Sequence, residues 1–180
     1  MKADESGGKS PRSPLSFEEF YRLHYNAVLR YAERRIDFES APEVCAETFV
    51  IAWRKYDRES PFGVSWLYKT AHHLIGTKYR KRARDVRLLE RLMESELLRD
   101  SQWNVLESDF DEVFASLAPN EQEVLRLTYW EELTAAEIAE VLGSSEQAVW
   151  KRISRAKQAF RTATAIADSD YETGTEGSHA

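Results

Sequence analysis

Residues 134–161 are the stretch that most constrains the fold, because they have the pattern of two helices joined by a tight turn. Thr134 and Glu137 have the spacing of a capping box, in which the hydroxyl accepts a bond from a free backbone amide and the carboxylate reaches back to the cap. Gly143 follows the last apolar residue of the short first helix, where a left-handed residue commonly ends a helix. The stretch therefore predicts a helix-turn-helix unit.

The second of these helices has an apolar face and a basic face. Ser144 with Gln147 repeats the capping signal at its start. The apolar residues that share one face at helical spacing are Val149, Ile153, Ala156 and Phe160. The polar side carries Gln147, Lys151, Arg152, Ser154, Arg155, Lys157 and Gln158, and no acidic residue occurs from Gln147 to Ala167. This pattern predicts a recognition helix for the DNA major groove, and the alternative is a surface helix with a solvated basic face.

Charge is distributed in blocks. The chain of 180 residues has a net charge of −6, yet residues 78–87 hold six basic residues and one acidic residue. Residues 85–112 hold nine acidic and three basic residues, and the tail after Ala167 is acidic. Because charges in solution interact over a Debye length of ~10 Å, phosphates respond to local patches more than to the net charge. The layout predicts two basic units separated by an acidic linker.

Two faces of a predicted helix from Ala41 to about Tyr56 differ in character. One side is a broad apolar stripe that we expect to be buried, with the residues Cys45, Phe49, Ala52, Trp53 and Tyr56. The other surrounds one aliphatic side chain with charges, and its residues are Glu43, Glu47, Val50 and Arg54. This second face predicts either docking of a basic partner or an ordinary solvated surface.

A loop over residues 57–65 then leads into a helix from Ser65 to about Arg84. Aromatic residues flank its polar face, which holds Lys69, His73, Thr77, Arg80 and Arg84. Basic side chains beside aromatics suit a nucleic-acid backbone with unstacked bases. Phe62 in the loop is predicted either to plug the core or to stay exposed for stacking. Gly76 in mid-helix costs about 1 kcal/mol relative to alanine, which is easier to explain if something approaches closely there.

The composition argues against several classes of protein. No stretch is apolar for long enough to span a membrane, and no apolar signal core is present, so we expect a cytoplasmic protein without membrane insertion. Cys45 is the single cysteine, which excludes an internal disulfide framework and a cysteine zinc site. His72 and His73 suggest a metal hydrolase as an alternative, but adjacent histidines on a helix point about 100° apart and cannot easily share a metal. We therefore expect no enzymatic activity, metal or cofactor.

Three segments, in this order, resemble the extracytoplasmic-function group of the sigma-70 family, the factors that direct bacterial RNA polymerase to promoters. APEVCAETFVIAW is similar to the family's second conserved region, and WLYKTAHHLIGTKYRKRAR is similar to the helix that follows it. LAPNEQEVLRLTYWEELTAAEIAEVLGSSEQAVWKRISRAKQAF is similar to the family's C-terminal helix-turn-helix domain. The resemblance covers residues 17–84 and 110–160.

The resemblance implies a role for each face. Docking on the clamp helices of the largest polymerase subunit is implied for Glu43, Glu47, Val50 and Arg54. Opening and reading of the −10 element, with one base flipped out of the stack, is implied for Phe62, Lys69, His73, Thr77, Lys78 and Arg80. Reading of the −35 element is implied for Gln147, Trp150, Lys151, Arg152, Ser154 and Arg155. The acidic linker is implied to thread toward the polymerase active site.

The chain also departs from the family pattern at positions that bear on DNA reading. His73 stands where asparagine is usual, and Trp150 stands where lysine or arginine is usual. Ala46 replaces a usual glutamine on the docking helix, and Gln147 with Ala148 replaces a usual Gly-Thr pair. The promoter sequence that this chain prefers therefore cannot be inferred from its relatives.

We predict an all-α fold of two small helical domains, of the sigma region 2 type and the sigma region 4 helix-turn-helix type. The expected boundaries are 1–15 for a disordered N-terminus, 16–84 for region 2, 85–109 for the acidic linker, 110–165 for region 4 and 166–180 for an acidic disordered tail. The predicted function is that of an extracytoplasmic-function sigma factor, with core RNA polymerase, promoter DNA and an anti-sigma factor as partners. The alternative is a stand-alone helix-turn-helix regulator, in which the N-terminal half would have no purpose.

Overall fold

The computed structural model describes residues 15–58, 62–93 and 109–175. Within these ranges the chain forms helices and turns without a strand, which confirms the all-α prediction. The helices are α1 (Phe17–Glu33), α2 (Ala41–Lys55), α3 (Val64–Met93), α4 (Asp109–Ser116), α5 (Pro119–Tyr129), α6 (Ala135–Leu142) and α7 (Glu146–Thr175).

The first helical unit is formed by α1, α2 and the N-terminal half of α3. At the start of α1, Ser16 and Glu19 form a capping box, which satisfies backbone amides that the helix leaves free. The three helices bury a shared core that includes Phe20, Val28, Tyr31, Val44, Phe49 and Leu67. Burial of an apolar side chain of this size contributes about 1.5–3 kcal/mol, so this core holds α3 in a defined orientation.

The second helical unit, α4–α7, contains the predicted helix-turn-helix. Thr134 Oγ1 accepts a bond of 3.3 Å from the amide of Glu137, and Gly143 ends α6 in the left-handed conformation at φ 59°. The cap of α7 is Ser145, whose hydroxyl accepts a bond of 3.2 Å from a first-turn amide. The sequence prediction of Ser144 as this cap is therefore wrong by one residue.

The predicted apolar side of α7 packs against α5 and α6. Val149, Ile153 and Ala156 are buried and Phe160 is half-buried. Toward the C-terminal half of α7, a groove of about 370 Å³ lies between α4, α5 and α7. This groove is lined by aromatic and apolar side chains with two cations at its edge, and its residues are Phe110, Phe114, Leu125, Tyr129, Trp130, Lys157, Phe160 and Arg161.

Two helices extend further than the sequence pattern predicts. α3 runs to Met93, past residue 84 where the linker is expected to begin, because residues 77–93 contain strong helix formers and neither glycine nor proline. α7 runs to Thr175, so the prediction of disorder from residue 166 onward is wrong for 166–175. Adding residues to a helix whose first turns are already packed costs much less free energy than nucleating a new helix. The alanines at 163, 165 and 167 favour this extension. Residues 1–14, most of the predicted linker (94–108) and the last five residues lie outside the described ranges.

The two units are packed against each other through α3 and α6. Ser65 Oγ at the start of α3 donates a bond of 2.7 Å to Glu140 Oε2 on α6. The buried apolar side chains of both units belong to one continuous cluster. The helix-turn-helix therefore rests directly on the first unit.

The left-handed Gly143 generates a prediction about stability. A Cβ at this position would meet no atom within 4 Å, so the cost of a side chain is confined to the backbone conformation. We expect Gly143→Ala to lower the free energy of unfolding by about 1 kcal/mol, measured by urea denaturation. Asparagine tolerates this conformation better, so Gly143→Asn is the matched control and should lose less. Equal losses in both variants would contradict this account.

Candidate nucleic-acid interface

The exposed side of α7 carries the residues predicted to read duplex DNA. Gln147, Trp150, Lys151, Arg152, Ser154 and Arg155 are all exposed. The buried side of the same helix, with Val149 and Ile153, fixes its rotation against α5 and α6. An exposed helix face with basic and amide groups, supported by an apolar back, can enter a major groove.

Trp150 occupies the shoulder of this face. Its side chain is 59% exposed, and its indole N–H donates a bond of 3.3 Å to Glu146 Oε1 one turn earlier. The pair holds the indole along the first turn of α7. The apolar ring, rather than its N–H, is therefore the surface that Trp150 offers to a ligand.

A second polar face lies on α3, where a chain of hydrogen bonds orders four of the predicted residues. His73 Nδ1 lies 2.8 Å from the carbonyl oxygen of Lys69, and Thr77 Oγ1 donates a bond of 2.9 Å to the carbonyl of His73. Arg80 Nη2 in turn donates a bond of 3.0 Å to Thr77 Oγ1. His73, Thr77 and Arg80 are exposed and Lys69 is half-buried.

The contact of His73 with a carbonyl decides what its ring can recognise. A carbonyl oxygen only accepts, so Nδ1 must carry the proton in this hydrogen bond. In the neutral ring, Nε2 is then left as an acceptor. The α3 face therefore combines an acceptor at His73 with a donor at Arg80.

Gly76 lies on α3 close to this face. A Cβ built there would lie 3.4 Å from Arg80 Nη1, the end of a flexible side chain. Apart from its own helix, the described residues therefore bring no backbone within 4 Å of this position, and among them the glycine makes room for the Arg80 guanidinium.

Lys78 and Phe62, predicted as part of the same face, are engaged inside the first unit. Lys78 is half-buried and its Nζ lies 2.6 Å from Glu43 Oε2 on α2. Phe62 stacks on Trp66 with ring centroids 4.1 Å apart and meets Phe20 edge-on at 5.5 Å. Of the two alternatives for Phe62, the structure shows the plug in an aromatic cluster.

The charged face of α2 is exposed as one strip, with Glu43, Glu47, Val50 and Arg54 in it. Val50 is 46% exposed and Trp53, expected in the core, is 65% exposed. The prediction for Trp53 is wrong because the apolar stripe of α2 is wider than the groove between α1 and α3 that receives it. The strip therefore has a larger apolar centre than the sequence indicates.

The hydrogen bond from Lys78, together with its charge, holds the pKa of Glu43 below its usual value.

The two histidines that suggested a metal enzyme have separate environments. Their ring centroids lie 6.3 Å apart, and His72 Nδ1 lies 3.4 Å from Tyr31 Oη. Among the described residues, no group of three or more His, Cys, Asp or Glu side chains is arranged to hold a metal ion. None of the described helices combines the length and the apolarity needed to cross a membrane.

Sequence reasoning missed a cluster of buried charges between the two units. Arg35, just after α1, donates through Nε to Glu123 Oε2 at 2.9 Å and through Nη1 to Glu131 Oε1 at 2.8 Å. The side chain of Arg35 is 5% exposed and that of Glu131 is 1% exposed. Burial by itself raises the pKa of Glu123, but the contacts with His72 and Arg35 outweigh it and hold the pKa below its usual value. The partners are 88 and 96 residues apart in the chain, so no local pattern could have paired them.

Comparisons with known proteins agree with this division into two units. The family model for sigma-70 region 2 matches residues 17–85, and that for sigma-70 region 4 matches residues 108–160. The chain is 29% identical to the RNA polymerase sigma factor YlaC of Bacillus subtilis over 153 residues, which cover 79% of this chain and 88% of that protein.

Two solved structures share the fold. The sigma factor RpoE of Bartonella quintana, solved in complex with the anti-sigma factor NepR, is 20% identical with a TM-score of 0.64 over 83% of this chain and 97% of that chain. CnrH, solved with the cytosolic domain of CnrY, is 26% identical with a TM-score of 0.57 over 86% and 88% of the two chains. The two family models together match most of the chain, and their helices carry the basic faces described above. The chain therefore belongs to the sigma-70 family and is an extracytoplasmic-function sigma factor.

Proposed function

We propose that this sigma factor binds core RNA polymerase through α2 and reads the two promoter elements with different helices, the −35 element with α7 and the −10 element with α3. The observation that supports this most strongly is the presence of two separate exposed polar faces on two family domains, each on a helix whose opposite side is buried against its own unit. We expect the protein to act in the cytoplasm, without catalytic chemistry of its own and without a cofactor.

Arg152 and Arg155 are the proposed centre of −35 recognition. Arginine can donate two parallel bonds to the O6 and N7 acceptors of guanine in the major groove. Lys151 and Ser154 extend this surface, and Gln147 can pair with the edge of adenine. Trp150, whose N–H is bound to Glu146, contributes its ring to a sugar or a thymine methyl group.

The α3 face is proposed to hold the −10 strand once it is unpaired. Arg80 and Lys69 neutralise phosphates, and Thr77 supports Arg80. The acceptor Nε2 of His73 suits an exocyclic amine of adenine or cytosine in a flipped base. Phe62 and Lys78 act indirectly, because Phe62 shapes the aromatic cluster under the loop and Lys78 ties α3 to α2.

The α2 strip is proposed to dock on polymerase. Its exposed carboxylates at Glu43 and Glu47 surround the apolar side chains of Val50 and Trp53, with Arg54 at one end. An apolar centre with a charged rim is the arrangement of a specific protein interface. The acidic linker is proposed to follow the basic channel of the polymerase.

An anti-sigma factor is proposed as a further partner. CnrH, which shares the fold at 26% identity, was solved with the cytosolic domain of CnrY bound to it. A protein that covers a sigma factor of this architecture would control the supply of the free form.

Co-elution with core RNA polymerase on a sizing column at moderate salt tests the docking strip. We expect stable co-elution of the full chain and its loss in the double variant Glu47→Lys, Val50→Asp, which reverses one charge and places another in the apolar centre. The matched control is Glu33→Lys with Leu23→Asp, the same changes at exposed positions of α1. DNA binding without co-elution of the unmodified chain would favour a stand-alone regulator.

Arg155→Ala tests the recognition helix. We expect the holoenzyme to lose ~1–3 kcal/mol of affinity for a promoter fragment selected from a random DNA library, with relaxed preference at one base pair of the −35 element. Fluorescence anisotropy over a range of salt concentrations measures both effects. Arg161→Ala, a further exposed arginine of α7, is the control. An equal loss on all sequences with a shallower salt dependence would show a phosphate contact instead.

The proposed acceptor at His73 is tested by its tautomer. We expect long-range ¹H–¹⁵N spectra of the free chain to show that the neutral ring of His73 carries its proton on Nδ1, because Nδ1 donates to the carbonyl oxygen of Lys69. A neutral ring protonated on Nε2 would remove the acceptor and contradict the proposed contact.

A further inference from the structure

The exposed side of the recognition helix begins with a carboxylate. Glu146 is the first residue of α7, it is exposed, and it is the only acidic residue from Glu146 to Ala167. A carboxylate beside a DNA phosphate is repelled, so a face that bound only the backbone would lose affinity through it. A negative charge in the first turn suits the helix dipole, but that effect needs no fixed side-chain partner. Glu146 has such a partner.

Trp150 holds this carboxylate in place. Its indole N–H donates a bond of 3.3 Å to Glu146 Oε1, and the indole is itself 59% exposed. Glu146, Trp150 and Ser154 form one i, i+4, i+8 row along the helix, so the pair lies next to the polar centre of the exposed face. A carboxylate has about four acceptor positions, and the indole fills one of them. The pair therefore offers a ligand a free acceptor next to a flat apolar ring.

A group that only accepts hydrogen bonds matches one base in the major groove. Guanine presents two acceptors there, and thymine presents the acceptor O4. Adenine presents a donor, but the acceptor N7 lies beside it. Cytosine presents its N4 amine as a donor without an acceptor next to it. An ionised carboxylate at Glu146 is therefore repelled by an acceptor on each of the other three bases and suits cytosine.

The indole ring suits the carbon next to that amine. In a pyrimidine, C5 lies beside the group at C4, and in thymine it carries the methyl group that apolar side chains contact. When Glu146 accepts from N4 of cytosine, the adjoining ring of Trp150 meets C5 of the same base. Thymine offers the ring its methyl group, but O4 repels the carboxylate. A cytosine that carries a methyl group at C5 satisfies both side chains, because the added apolar surface is buried against the ring.

Resting on the proposed reading of the −35 element by α7, we propose that Glu146 and Trp150 together recognise one cytosine of this element. Glu146 accepts a hydrogen bond from the N4 amine, and Trp150 covers C5. Methylation of this cytosine at C5 strengthens the contact, and methylation at N4 removes the donor that Glu146 needs. Promoter binding by this sigma factor therefore responds to the methylation of one cytosine.

Modified promoter fragments test the contact in the holoenzyme. The starting probe is a fragment selected from a random DNA library by holoenzyme with the unmodified chain. Each cytosine of its −35 element is replaced in turn by 5-methylcytosine or by N4-methylcytosine, both of which still pair with guanine. At one cytosine we expect the N4-methyl group to weaken binding at least about tenfold. At the same cytosine the 5-methyl group should tighten binding by about threefold, because one methyl group is buried. Fluorescence anisotropy at fixed salt measures both effects.

Two substitutions assign the effects to the pair. Glu146→Ala removes the acceptor, so N4-methylation should then change the affinity by less than about twofold. Trp150→Ala removes the ring and should abolish the preference for 5-methylcytosine. Glu112→Ala, at an exposed carboxylate of α4, is the matched control and should show both effects in full. If Glu146 only stabilised the helix end, its removal would lower the stability of the chain and leave the response to methylation unchanged.

The outcomes separate this inference from the proposed function. A selected fragment in which no cytosine shows the N4 effect would overturn the inference and leave the reading of the −35 element by α7 intact. An N4 effect of equal size in the unmodified chain and in Glu146→Ala would do the same. Weaker binding to 5-methylcytosine would show that the ring of Trp150 does not accommodate the methyl group, which also overturns the inference. If the unmodified holoenzyme selects no fragment, the proposed function fails and this inference fails with it.

Discussion

The arrangement of this sigma factor depends on one buried guanidinium. Arg35 leaves the end of the first helix and enters a site where carboxylates of the second unit, at Glu123 and Glu131, surround it. Burying any one of these charges alone would be strongly unfavourable, so the site is stable only while both units contribute to it. The position of the two helical units relative to each other is thereby set by electrostatics in a low-dielectric contact, in addition to the apolar packing around it.

α3 transmits this constraint because it has three functions on three sides. One side completes the core of the first unit through Leu67 and Ala71, a second contacts α6, and a third carries the ordered polar chain from Lys69 to Arg80. Because α3 is a rigid helix, it moves as one body, and a shift of its axis alters all three sides together. Movement of the helix-turn-helix relative to α3 would therefore change the surroundings of its polar face and leave the hydrogen bonds along that face intact.

Much of the exposed polar surface could be predicted from local patterns, and the differences from the structure have a common cause. The exposed side of α7 and the polar side of α3 follow helical periodicity, which depends only on near neighbours. The error at Trp53 and the half-burial of Lys78, which no local pattern indicates, arise because exposure depends on which other helix lies opposite. Trp53 is apolar, but no neighbouring helix covers its side chain, which stays exposed. Lys78 is basic, but its ammonium group on α3 pairs with the carboxylate of Glu43 on α2.

By itself, the sequence determined the helices apart from the ends of α3 and α7, the cap of α6, the helix-turn-helix and the family, because capping boxes, a left-handed glycine and apolar periodicity act within a few residues. It also determined which faces are basic. Only the tertiary structure decided that the two units are closed on each other. The pairs of Arg35 with Glu123 and Glu131 join residues 88 and 96 positions apart, and their stability comes from burial, which exists only after both units have folded and met.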